Sequence, residues 1–158
     1  MSAPANGKLD LEHFLPYRLS VLSNTVSSAL AGAYARRFGL TIPQWRVVAV
    51  LARSPGLSAA GVAERTAMDK VAVSRAVAGL ARSGRVRRVL AVKDRRRSVL
   101  TLTARGRAVY RQIVPLALAY ERRLLSELTP AEQAQFGRLL GRLQKRSWLL
   151  GPAGDSRV

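Results

Sequence analysis

The 158-residue sequence contains no cysteine, one histidine and nine acidic residues. Without a thiol, disulfide frameworks, thiolate metal sites and redox-sensing cysteines are excluded. A single imidazole, His13, with scattered carboxylates cannot build a transition-metal site, so neither a metal nor another cofactor is expected. The same shortage leaves almost nothing for acid–base or nucleophilic chemistry, and no Gly-rich phosphate loop or paired acidic motif is present. An enzyme is therefore not expected. No stretch reaches the roughly 18 uninterrupted apolar residues of a membrane span, and residues 1–13 hold no apolar signal segment. The expectation is a cytoplasmic protein with no membrane partner.

Basic and apolar residues are abundant. Apolar types make up 48% of the chain, enough for a core, and the formal charge is +18. The length supports one domain or two small interleaved ones. Between Ser58 and Gly106, twelve Lys or Arg face only three acids, Glu64, Asp69 and Asp94. A codon-driven Arg-rich surface accounts for some of the total but not for that clustering. A basic centre between less charged segments is an electrostatic footprint for nucleic acid.

Apolar spacing predicts a long amphipathic helix over residues 14–38, carrying Leu15, Leu19, Leu22, Val26 and Leu30 and stopped by Gly39. Thr41-Ile-Pro-Gln44 is a capping box for a second helix, with Trp45, Val48 and Leu51 on its inner stripe. Ser58 caps a short third helix, and Asp69 caps a fourth that runs to residue 82. The period then changes. Residues 86–92 and 98–102 are rich in β-formers and flank Lys93-Asp-Arg-Arg-Arg97, a hairpin with a charged tip. Thr103 caps a fifth helix to about residue 128, in which Pro115 either bends the helix or sits at a locally adjusted turn, and Thr129-Pro-Ala-Glu132 starts a sixth that ends near Leu150.

Two short helices joined by a tight turn and followed by a hairpin make a winged helix-turn-helix. The expected fold is mostly α with a small β-hairpin wing. A DNA-binding module over residues 41–103 is flanked by long helices over residues 14–40 and 104–150, a loose arm over 1–13 and a tail over 151–158. On the fourth helix, Ala72, Val73, Ala76, Val77 and Leu80 fall on one side, whereas Lys70, Val71, Ser74, Arg75 and Ala78 fall on the other. Arg75 suits a guanine edge, Lys70 and Ser74 suit phosphates or base edges, and Val71 suits a thymine methyl. Ser58, at the start of the third helix, joins them as a candidate DNA contact. An ordinary solvated helix would show the same division, and the hairpin favours the DNA reading. At its tip, Asp94 can order Arg95, Arg96 and Arg97 for the minor groove.

Asp69-Lys-Val-Ala-Val-Ser-Arg75, the wing Lys93-Asp-Arg-Arg-Arg97 and Leu102-Thr-Ala-Arg-Gly106 together resemble the MarR family of bacterial transcription regulators. The family's Asp-x-Arg wing pattern is met by Asp94 and Arg96. Its recognition-helix pattern carries Ser and Thr where this chain has Val71 and Ala72, so base preference does not transfer. The resemblance implies a homodimer whose first, fifth and sixth helices intertwine to seat two winged modules on a pseudo-palindromic DNA operator. The wide apolar stripes of those helices agree with this, since an uncovered surface of that size normally marks an interface.

Members of that family usually sense something, and without thiols or a metal site a small aromatic or phenolic carboxylate remains. His13, Tyr17, Arg18, Trp45 and Arg46 could supply aromatic walls and cationic groups for it, although Trp45 better suits the core, Arg46 a phosphate or surface contact and His13 a helix start. The sequence thus points to a ligand-responsive, nucleoid-associated repressor. The alternative is a non-specific architectural nucleic-acid-binding protein, which the charge alone would permit. Against an RNA-binding version, residues 58–106 contain no aromatic side chain for base stacking.

Overall fold

The helix starts marked in the sequence by hydroxyl and carboxylate residues form as hydrogen-bonded caps. In the computed structural model, which describes residues 9–90 and 98–151, Thr41 Oγ1 accepts the Gln44 N–H at 3.3 Å, Ser58 Oγ that of Gly61 at 3.1 Å and Asp69 Oδ1 that of Ala72 at 2.7 Å. Thr103 and Thr129 cap in the same way, on Gly106 and Glu132. Gln44 and Glu132 close capping boxes by accepting from the backbone N–H of Thr41 and Thr129. Those donors at Thr129, its N–H and its hydroxyl, hold the Glu132 carboxyl below its ordinary pKa. Asp69→Ala removes one such cap and should lower the unfolding free energy by about 1 kcal/mol, whereas Asp69→Asn should preserve it. Urea denaturation of both variants checks this.

These caps delimit α2 (Ile42–Arg53), α3 (Ala59–Thr66), α4 (Lys70–Arg82), α5 (Ala104–Leu124) and α6 (Pro130–Leu150). The remaining helix, α1 (Leu15–Phe38), has no side-chain cap and ends at Gly39, whose left-handed φ of 60° lets its N–H reach Ala35 O at 2.8 Å. Helix α5 stops at Leu124 rather than near residue 128. There Gln133 Nε2 donates to the carbonyls of Leu125 and Leu128, replacing the helical bonds those groups lack. Pro115 lies inside α5, which continues through it.

Strands β1 (Val86–Leu90) and β2 (Ser98–Leu102) pair antiparallel from Val86 opposite Leu102 to Leu90 opposite Ser98, and Leu57 adds a bridge to Leu100. The element order is the one the sequence predicts, a mostly helical winged fold. The chain divides into two compact units, residues 1–117 and 118–158. In the first, Tyr34, Leu40, Val47, Val48, Leu51, Val62, Val73, Val77, Leu80, Leu100 and Ile113 form a core in which each is at most 2% exposed. In the second, α6 has no buried residue along its 21 positions.

Candidate nucleic-acid interface

Helices α3 and α4 meet through a three-residue turn. Ala67 takes a left-handed φ of 51°, and the Met68 N–H returns to Ala63 O at 3.2 Å. Asp69 then starts α4. Its residues Val73, Ala76, Val77 and Leu80 are buried in the core, which orients the helix by burial of its apolar stripe. Lys70, Val71, Ser74, Arg75 and Ala78 are left exposed, Val71 at 58%. Four of the sequence-nominated contacts therefore lie together on one solvent-facing surface at the start of α4.

Ser58 sits at the N-cap of α3, where its oxygen is committed to Gly61. Its hydroxyl proton remains available to donate to a phosphate oxygen. Asp94, Arg95, Arg96 and Arg97 lie outside the described residues. The paired strands lead into that segment from Leu90 and Ser98.

The electrostatics are one-sided. Among the described residues the single ion pair is Asp10 with His13, at 2.8 Å. No carboxylate there neutralises Lys70, Arg75, Arg82, Arg87 or Arg88, so their field is open to a polyanion. Among the described residues, no group of three or more potential metal ligands occurs, and no helix is long and apolar enough to cross a membrane.

Arg85 is a structural residue that sequence reasoning missed. Its Nη2 donates to Phe38 O at 2.5 Å, closing the C-terminus of α1, while its Nε is buried without a partner. Desolvation, and then the charge of Arg105, lower its pKa. No local pattern signals a contact across 47 residues of chain.

The five nominated ligand residues are not gathered in one cavity. Tyr17 and Arg18 line a cavity of about 560 Å³ beside the first turns of α1, with Leu11, Leu15, Leu19 and Leu22. His13 is exposed and paired with Asp10. Trp45 packs between Tyr34 and Tyr110, with ring centroids 5.7 and 6.0 Å away. Arg46 Nη2 donates to Ser27 Oγ at 3.2 Å. The separation follows from helix length, since Tyr17 and Tyr34 stand roughly 25 Å apart along α1.

With that geometry in place, the chain can be compared with known proteins. The sequence model of the MarR family matches residues 38–97, which run from the end of α1 into the wing. The HTH-type transcriptional repressor Rv2887 of Mycobacterium tuberculosis is 35% identical over 131 residues, spanning 82% of this chain and 91% of its own. The chain belongs to the MarR family. Among solved MarR structures, a MarR/EmrR family transcriptional regulator from Acinetobacter sp. ADP1 superposes with a TM-score of 0.80 at 26% identity, covering 87% of this chain and 97% of that one. The PcaV transcriptional regulator from Streptomyces coelicolor, solved in complex with its natural ligand, gives 0.73 at 28% identity, covering 88% and 97%. The MarR family and these relatives are transcription regulators, not enzymes.

Proposed function

We propose that the chain is a homodimeric repressor that binds a pseudo-palindromic operator and is released by a small aromatic or phenolic carboxylate. The exposed basic face of α4, held outward by its buried apolar stripe, carries this reading. In the proposed complex Lys70, Val71, Ser74 and Arg75 enter the major groove, and the N-terminus of α3 with Ser58 sits on the backbone. Arg95, Arg96 and Arg97, ordered by Asp94, follow the minor groove.

Dimerisation through residues 14–40 and 104–150 is supported by apolar side chains left in solvent. On α1, Leu15, Leu19 and Leu22 are 41%, 38% and 49% exposed; on α6, Phe136, Leu139 and Leu143 are 45%, 45% and 44% exposed. A 21-residue amphipathic helix with nothing buried calls for a partner surface. Ligand response is supported by PcaV, a similar protein that has a natural ligand. Of the nominated ligand residues His13, Tyr17, Arg18, Trp45 and Arg46, the cavity at Tyr17 and Arg18 is the open one. A nucleoid-associated, cytoplasmic location goes with this role.

Fluorescence anisotropy across a salt series tests the proposal. One labelled duplex carries the intergenic DNA beside the protein's own gene, and the other is a shuffled copy. Specific binding should exceed non-specific by about 10³ or more at physiological salt. Affinity for both should fall by roughly 10³–10⁵ between about 50 and 200 mM salt if 6–10 phosphates are contacted. Equal affinities for the two duplexes, repeated against a pool of genomic fragments, would instead favour the architectural reading.

A further inference from the structure

Arg85 joins the ends of three helices. It follows Gly84, whose left-handed φ of 67° closes the C-terminus of α4, and its own N–H returns to Leu80 O at 2.9 Å. Its carbonyl accepts from the N–H and the hydroxyl of Thr103, the N-cap of α5, at 3.0 and 3.2 Å. Its guanidinium Nη2 donates to the carbonyl of Phe38, the last residue of α1, at 2.5 Å. One residue thus links the end of α4 to the end of one long helix and the start of another.

Filling space does not account for an arginine at this position. Burial disfavours its charged form, the charge of Arg105 adds to that, and Nε is buried with no acceptor among the described residues. An apolar side chain would avoid these costs. It could not, however, donate to Phe38 O, one of the four last carbonyls of α1 that have no helical donor. What the arginine adds is a directed link, with its positive charge at the negative end of the α1 dipole. The leverage of that link is large. Helix α1 has 24 residues, so a tilt of about 10° at Phe38 moves its far end by about 6 Å. That exceeds the rise of one base step, about 3.4 Å.

We propose that Arg85 is a positioning residue for DNA recognition: by tying α4 to the ends of α1 and α5, it sets the angle at which each protomer presents its recognition helix. It acts through α4, without a DNA contact of its own. Two recognition helices must meet half-sites one helical turn apart, about 34–36 Å. A loosened link therefore weakens the specific complex and spares the general attraction of a basic chain for phosphates. That consequence rests on the dimeric DNA-binding reading, whereas the rigidity of the link does not.

Because the chain has no cysteine, two spin labels can be placed at will. Asn24→Cys on α1 and Ala78→Cys on α4, both exposed positions, are labelled in one full-length chain and diluted into unlabelled chain. Pulsed dipolar spectroscopy without DNA then reads the distance between them. The parent should give one narrow distribution. Arg85→Met keeps the stem and loses the donors, and should shift or broaden that distribution by about 4 Å, the displacement of Asn24 for a tilt of about 10°. Arg85→Gln, polar but too short to reach Phe38 O, is the second variant should the first not fold, with the same expectation. Arg36→Met removes another cation from the last turn of α1 and should change nothing. Anisotropy on folded Arg85→Met should show operator affinity lowered by roughly tenfold, with affinity for the shuffled duplex nearly constant. An unchanged distribution in the Arg85 variants refutes the proposal, as does an equal change in Arg36→Met. So does a parallel loss on both duplexes with a salt slope lower by about one, which would make Arg85 a phosphate contact. A parent that prefers no duplex, with the distribution broadened in Arg85→Met, keeps the link and loses the regulator reading. An intact operator preference with an unchanged distribution loses this proposal alone.

Discussion

Arg75→Ala should lower affinity for the operator by about 5- to 150-fold, the worth of one good bidentate contact to a guanine. The side chain is exposed on α4 and makes no hydrogen bond or ion pair among the described residues. Its removal should therefore leave stability within about 0.5 kcal/mol. Arg75→Lys separates recognition from charge. It keeps the cation but not the planar fork, so the specific complex should weaken while binding to shuffled DNA stays nearly constant. Anisotropy on the operator and on its shuffled copy reads both quantities. If Arg75→Ala weakened both duplexes by the same small factor, Arg75 would be a phosphate contact and the base-reading role would pass to another residue on that face.

Gly106→Ala, at the start of α5, should be the most damaging single methyl added at any of the described glycines. An ideal Cβ at Gly106 falls 2.1 Å from Arg85 O and 3.0 Å from its carbonyl carbon. That oxygen cannot simply move aside, because it accepts from both the N–H and the hydroxyl of Thr103, at 3.0 and 3.2 Å. The side chain of Arg85 in turn closes the end of α1 at Phe38 O. A displaced backbone of this kind costs about 3 kcal/mol, which lowers Tm by roughly 6–12 °C for a chain of this size. Gly32→Ala is the contrast. Among the described residues nothing lies within 4 Å of its Cβ position, in the middle of α1, so it should gain about 0.5–1 kcal/mol. Thermal denaturation of the two variants side by side decides the matter. A Gly106→Ala protein that melts with the parent would mean that the close approach at Arg85 is absent.

Much of the architecture was legible because its causes are local. A cap needs a side-chain oxygen three residues before its donor, and Thr41, Ser58, Asp69, Thr103 and Thr129 all stand in that relation. The inward and outward faces of α4 follow from helical period alone, which separates Val73, Val77 and Leu80 from Lys70, Ser74 and Arg75. The far end of α5 was read too long because its stop depends on Gln133, a glutamine on the next helix. Trp45 illustrates the limit for function. Its sequence position suits a core or a ligand wall, and only its seat between Tyr34 and Tyr110 shows what it touches.

The sequence by itself determined the element order, the caps, the basic centre and the outward face of α4. Each of these depends on residues within a few positions of one another or on a simple sum of charge. Tertiary structure alone decided the contacts between distant segments. It put Arg85 on the end of α1, Gly106 against Arg85, and Arg87 beside Arg107 and Arg111 around one cleft. No periodicity encodes such meetings. They exist only once the common core has closed and brought segments together that are remote along the chain.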